Sequence, residues 1–345
     1  MNREIYTVAD HEIEVRIAGI DHFLKQVDIL VDWKRISKVL AKSDLRYKSN
    51  SGRDCYDPIS MFRIMLVQQC NKLSDYEMEA QLKMNFLFMW FCGFSFEQPI
   101  PDHSTICRWR QRFTQANLFE KLFQEINRQL AKHGLKVKEG VIVDATLVTA
   151  HARPHRKEVV ETEPTGDDEI PSVQTFQSTV LTVEESKDPD ARWLKKGGKC
   201  TFGYKGHVAV DKVTGLLQTI FVTPANKYDG HMLDTVIDNT KLKEGQEVLA
   251  DKGYCSGDNN QYLEKKKLTS KIMRKKTKNQ EPSAELIEYN RRISEHRYVI
   301  ERSFGSLKSH NGWARTIYIG LEKTKNYLML GAMTFNLKRG IVLLS

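Results

Sequence analysis

The chain has 345 residues, of which 40% are hydrophobic and 28% charged. That length exceeds one small domain, and that composition excludes a collagen-like, disordered or membrane-embedded chain. Its 53 basic and 44 acidic residues leave a net charge of +9, a field that attracts polyanions such as nucleic acid. The cysteines at 55, 70, 92, 107, 200 and 255 form no CxxC pair, and MNREIYTVADHE carries no apolar signal region. A reducing, cytoplasmic setting is expected. The stretches 84–96 and 327–344 are the most apolar, but the first is short and the second is broken by Asn336, Lys338 and Arg339, so neither should span a bilayer.

Residues 1–40 form an N-terminal segment, followed over 41–137 by a helical module. DPISMFRIMLVQQC opens it, and SDYEMEAQL has Ser74 and Glu77 at capping-box spacing. The aromatic cluster of Phe86, Phe88, Trp90, Phe91 and Phe94 reads as core of this module or as a dimer surface. PDHSTICRWRQRF starts a further helix, with Asp102 or Ser104 as N-cap. NLFEKLFQEINRQLAKHG then aligns Leu118, Leu122, Ile126 and Leu130 on one face before Gly134 ends it.

From Glu139 the pattern changes to short β-branched runs bounded by Gly, Pro or charge: EGVIVDATLV, FGYKGHVAVD, LLQTIFVTPA, QEVLADKGY and TSKIMRK. Helices fall between and after them, in DGHMLDTVIDNT and over 285–309. Residues 138–345 are therefore expected to be an α/β domain with a mixed five-stranded sheet. Between its first two strands, 153–199 reads as a mobile acidic insertion, since 158–190 carries ten acids against one lysine.

Three acids stand out because of where they sit, and the first two lie in or at the end of apolar strands, where burying a carboxylate is expensive. Asp144 sits inside the apolar run VIVDATLV, and Asp251 ends EVLAD at the carboxyl end of a strand, where ligands bind in open α/β sheets. On a helical wheel Arg297, Glu301 and Lys308 fall within an arc of about 40° beside the apolar stripe of Ile293, Ile300, Phe304 and Leu307. Singly, a strand aspartate can be a salt-bridge partner, and Arg297 with Glu301 an ordinary helix pair. Together they supply the hard oxygen ligands that a two-metal phosphodiester site needs.

With VDAT, FGYKGHVAVD then TGL, PANKYDG, ADKGY and RYVIERSFGSLK in this order, the chain resembles the DDE transposases of bacterial insertion sequences, specifically the insertion-sequence-five group. Arg297, Glu301 and Lys308 match that family's Arg, three residues, Glu, six residues, Lys pattern. Ser294 stands where the family often has a tyrosine. The resemblance implies an RNase H-like catalytic domain preceded by an all-helical DNA-binding module. It also implies catalytic, metal-binding Asp144, Asp251 and Glu301 with two Mg²⁺ ions, for which Mn²⁺ can substitute. The partners implied are terminal inverted repeats and target DNA, held by a homodimer or larger assembly that pairs two ends.

The basic runs over 265–278 and 291–297 flank Glu301 and are expected to meet phosphates, as are Arg302, Lys252 and Lys205. Arg108, Arg110 and Arg112 lie on a short helix after a proline turn, as in a helix-turn-helix reader. His151 and His155 have ligand-like spacing, but Pro154 makes them loop residues, and His207 and Trp313 read as structural or DNA-proximal. A catalytically silent DNA-binding protein or repressor, and a nuclease that cuts without joining, remain the alternative readings.

Overall fold

The computed structural model describes residues 7–43, 45, 55–154, 156–159, 180–183, 186–196, 198–276 and 281–345. Eight helices come first: α1 (Val8–Ala18), α2 (Phe23–Leu30), α3 (Trp33–Ala41), α4 (Pro58–Asn71), α5 (Asp75–Met84), α6 (Phe86–Cys92), α7 (His103–Gln115) and α8 (Leu118–Lys132). Local sequence sets their ends. Thr7 with Asp10, and Ser74 with Glu77, form reciprocal capping boxes. Asp102, rather than Ser104, caps α7 by accepting from the Thr105 N–H. Gly134, at φ +90°, follows the end of α8.

Strands β1 (Gly140–Thr149), β2 (Arg156–Val159), β3 (Val180–Val183), β4 (Arg192–Lys196), β5 (Lys199–Asp211) and β6 (Leu217–Pro224) follow. After them come α9 (Leu233–Asp238), β7 (Glu247–Ala250), α10 (Gly257–Lys265), β8 (Thr269–Ile272), α11 (Ala284–His310) and α12 (Leu321–Leu344). The main sheet runs β4-β5-β1-β7-β8, with β6 also paired to β5. β5 is antiparallel to β1, β4 and β6, whereas β1, β7 and β8 are mutually parallel.

This mixed sheet has six strands among the described residues, not the five expected. The addition is β4, which the sequence reading placed inside the acidic insertion. Trp193 on β4 packs against Phe202 on β5 with ring centroids 5.2 Å apart, and that burial outweighs the polar company around it. β2 and β3, from the same stretch, pair as a separate antiparallel ribbon. Residues 160–179, the middle of the expected insertion, lie outside the described residues.

The two faces of β1 serve different cores. Val141 and Val143 face a cluster with Val236, Ile237, Val248 and Leu263 from α9, β7 and α10. Ile142 and Val148, on the opposite face by strand alternation, join a larger cluster that includes α8, α11 and α12. That larger cluster runs without a break from Ile13 and Leu24 through the aromatic Phe88, Phe91 and Phe94 to Leu337; Trp90 packs against it half-buried, while Phe86 is exposed and stands outside it. Polar links cross the same boundary. Gln69 on α4 donates to the Asn311 carbonyl at the end of α11 (2.8 Å), and Lys72 donates to the Ser309 carbonyl (2.6 Å). Asn336, one of the interruptions in the apolar stretch 327–344, is fully buried on α12 and bonds the Leu217 backbone in both directions. No helix among the described residues is long and apolar enough to cross a membrane.

Candidate active site

β1 and β7 run parallel with Val143 opposite Ala250, so the residues that follow, Asp144 and Asp251, emerge side by side on the face covered by α11. Asp144 is held mid-strand, opposite Val208 on β5, and Asp251 lies one residue past the end of β7. α11 brings the third acid. Its buried stripe of Ile293, Ile300, Ser303 and Leu307 packs inward, which turns Arg297 and Glu301 toward the edge of that face.

Arg297 joins all three. Its guanidinium lies 3.1 Å from Asp144 Oδ2, 3.9 Å from Asp251 Oδ2 and 3.8 Å from Glu301 Oε1. The acids grade outward, with side chains 16%, 40% and 64% exposed, so the site is open on the Glu301 side. Among the described residues no three acidic, histidine or cysteine side chains are gathered as a ready metal cage. The carboxylates face a single cation instead.

One arginine does not balance this charge. Burial pushes the Asp144 carboxyl up to about 6; Arg297 and the Ala145 N–H pull it down, and the nearby Asp251 and Asp229 carboxylates push it further up. The same surroundings hold the buried Tyr254 hydroxyl well above the ordinary tyrosine range, through burial first and then through Asp144, Asp229 and Asp251. A site short of positive charge, lined by hard oxygen donors, suits a divalent cation.

The expected DNA contacts divide. Lys252, Arg302 and Lys308 are exposed near the triad, with Arg302 over the Tyr298 ring at 5.9 Å. Lys205 is different. It is directed to the opposite face of the sheet from Asp144, nearly buried, with its ammonium 2.7 Å from Asp229 Oδ1 and 2.6 Å from the Lys227 carbonyl. Along α11, Arg291 pairs with Glu288 and Glu295, and Arg292 with Glu288, so the basic run there largely neutralises itself. Lys266 and Lys267 pair with Asp238 and Glu244, and residues 277 and 278 lie outside the described residues.

On α7, Arg108 is exposed, and Arg112 lies half-buried over the Trp109 ring. Arg110, expected with Arg108 and Arg112 among the DNA contacts, is placed differently from them. It turns inward to pair with Asp75 and Gln68, because successive even positions on a helix are about 200° apart and cannot share a face. His207 is buried against Thr223, and Trp313 is buried with its indole N–H on the Leu328 carbonyl, so both are structural. His151 is exposed in a loop, and His155 lies outside the described residues.

Sequence reasoning gave no role to Tyr228, Asp229 or Asn259, which surround the Asp251 turn. The motif PANKYDG was the available signal, since it groups polar residues and a glycine after a strand. Only the fold shows what they touch.

These features place the chain in a class of α/β proteins in which carboxylates from two parallel strands and a following helix converge at the carboxyl end of a mixed sheet. Residues 135–337 match the family model described as "Transposase DDE domain", and residues 11–112 match "Transposase domain (DUF772)". The chain belongs to the DDE transposase family, and is a metal-dependent DNA transposase. It is 36% identical over 232 residues to the transposase for insertion sequence element IS1106 of Neisseria meningitidis serogroup B, covering 67% of this chain and 75% of that one. Two solved structures are more distantly similar. One is a piggyBac transposase synaptic complex with hairpin DNA (13% identity, TM-score 0.43, 99% of this chain and 76% of that one). The other is a Mos1 transposase paired-end complex (9% identity, TM-score 0.20, 81% of this chain and 87% of that one).

Proposed function

We propose that Asp144, Asp251 and Glu301 are the catalytic carboxylates of this transposase and together hold two Mg²⁺ ions, with Mn²⁺ as an effective substitute. Residues 138–345 act as an RNase H-like catalytic domain, and residues 41–137 as the helical module that grips the terminal inverted repeats. A homodimer pairs the two ends, in the bacterial cytoplasm. The observation that carries this reading is the convergence of three carboxylates, from β1, the turn after β7 and α11, on the one guanidinium of Arg297. The mixed sheet with β1 at its centre supports the RNase H-like assignment.

Bound ions supply Lewis-acid stabilisation of the attacking and leaving oxygens of an in-line displacement. The chain does the rest. Asp144, fixed mid-strand, orients one carboxylate rigidly, while Glu301 on the open side leaves room for a DNA strand. Arg297 limits the repulsion among the acids. Exposed Lys252, Arg302 and Lys308 offer phosphate contacts beside them. Cutting uses water as nucleophile and joining uses the freed 3′-hydroxyl, so one set of carboxylates serves both steps without a covalent protein intermediate.

The test is cleavage and strand transfer on labelled linear DNA bearing the element's own ends, with Mg²⁺ or EDTA, for the wild type and Glu301→Gln. Metal-dependent joining that disappears in the variant is expected. End-specific binding without cleavage in any metal would instead make this a silent DNA-binding protein, and cleavage without joining a nuclease.

A further inference from the structure

The two aspartates are held in place very differently. Asp144 lies inside β1, with β5 hydrogen-bonded along one side and β7 along the other. Asp251 lies beyond the last residue of β7, in a tight turn that the sheet ladder does not reach. Metal ligands must keep their geometry to within about 0.5 Å, so a carboxylate on such a turn needs another source of support.

The described bonds show where it comes from. Asp251 Oδ1 accepts from the Gly253 N–H (2.8 Å), which leaves Oδ2 facing Arg297. The carbonyl of that same glycine accepts from the Tyr228 hydroxyl (2.6 Å). From the other side the Asn259 amide donates to the Tyr254 carbonyl (2.8 Å) and to the Gly230 carbonyl (2.9 Å), which ties the two turns together. Both glycines are needed at this approach. A Cβ on Gly253 would lie 2.9 Å from Asp251 Oδ1, and one on Gly230 would lie 2.7 Å from the Gly253 carbonyl. Behind them Asp229 is anchored by Lys205 on β5, so the brace ends on the sheet.

We propose that the 227–230 turn, through Tyr228 and with Asn259, is a brace that positions Asp251 for the metal. Tyr228 and Asn259 are positioning residues. The inference rests on the reading of Asp251 as a metal ligand. A hydroxyl on a half-exposed tyrosine, bonded to a turn carbonyl, adds little to global stability. Outer partners of metal ligands, by contrast, typically govern affinity by about 10-fold or more.

The experiment is Mn²⁺ binding to the full chain without DNA, measured calorimetrically, beside melting temperature in EDTA. The proteins are wild type, Tyr228→Phe, Asn259→Leu and Asp251→Asn. Tyr228→Phe and Asn259→Leu are each expected to weaken Mn²⁺ binding about 10-fold, with the EDTA melting temperature of Tyr228→Phe nearly unchanged. Should one of the two fail to fold, the other tests the brace from the opposite side of the turn. Wild-type affinity in both, with binding lost in Asp251→Asn, would overturn the brace alone. Binding unaffected in Asp251→Asn would overturn the metal-ligand reading beneath it. A lowered melting temperature with unchanged affinity would make these bonds merely structural and also overturn the proposal.

Discussion

Replacing Asp144 by Asn should make the metal-free protein more stable. The folded chain must keep this carboxylate ionised at neutral pH although its side chain is only 16% exposed, and its titration is pushed from 3.8 to about 6. That displacement corresponds to about 3 kcal/mol. Because the folded value is the higher one, the native state binds the proton more tightly. The stabilisation is therefore complete below about pH 4 and drains away as pH rises through about 6. Asn has the same shape, can still accept from the Ala145 N–H, and carries no charge. Melts in EDTA across this range should nearly coincide at about pH 4 and then diverge. Near pH 7.5 the variant should be ahead by up to about 3 kcal/mol, or about 4 °C for a chain of this size. Saturating Mn²⁺ should narrow the gap, because only the wild type gains the full binding free energy. An Asn variant no more stable than wild type at pH 7.5, or a gap that ignores pH, would refute the argument.

Arg297→Gln should do the reverse, losing about 3 kcal/mol near neutral pH in EDTA and less near pH 4, with a larger Mn²⁺-induced rise in melting temperature than wild type; an equal loss at both pH values would point to packing. Arg110→Ala should cost about 3 kcal/mol of stability by stranding Asp75, seen as a lowered melting temperature. Arg108→Ala should leave the melt unchanged but weaken DNA binding and reduce the salt slope by about 1 in a filter-binding series. Burial pulls His207 down to about 4, below its ordinary value of 6.5, so the folded protein holds it neutral. The stability this represents is present above pH 6.5 and lost as pH falls through about 4, and acid melts of His207→Gln should lack that component of about 3 kcal/mol.

The sequence revealed most where one residue type has one physical explanation. Asp144 inside the apolar run VIVDATLV reads as a strand-borne carboxylate from the sequence alone, and the sheet places it within β1. The capping pair Ser74 and Glu77 is equally local. β4 was hidden because its strand character comes from Trp193 meeting Phe202, a contact that the surrounding acids disguise. α1 to α3 lie in the 1–40 segment that the sequence leaves without assigned helices, although Thr7 and Asp10 have capping spacing and Ile13 and Ile17 recur one turn apart. α12 was noted only for its apolarity, since Asn336 looked like an interruption until its backbone partner on Leu217 was visible. The cluster around Asp251 was illegible for a different reason. Tyr228, Gly253 and Asn259 lie on three separate segments, and only the fold brings them within bonding distance.

The bonds from α4 to the end of α11 carry a metrical consequence. Glu301 stands on α11 and the anchored Asn311 caps that helix, about 15 Å further along at 1.5 Å per residue. Because the helices of the first third share their core with the sheet, that arm has a fixed origin. The molecule thus contains a length standard where a two-part enzyme could have had a joint. If the helical region holds the end of a DNA element, the offset between grip and cut is written into the number of residues in α11. Lengthening that helix by one turn would lengthen the arm by about 5.4 Å, and the cut would have to move along the duplex with it.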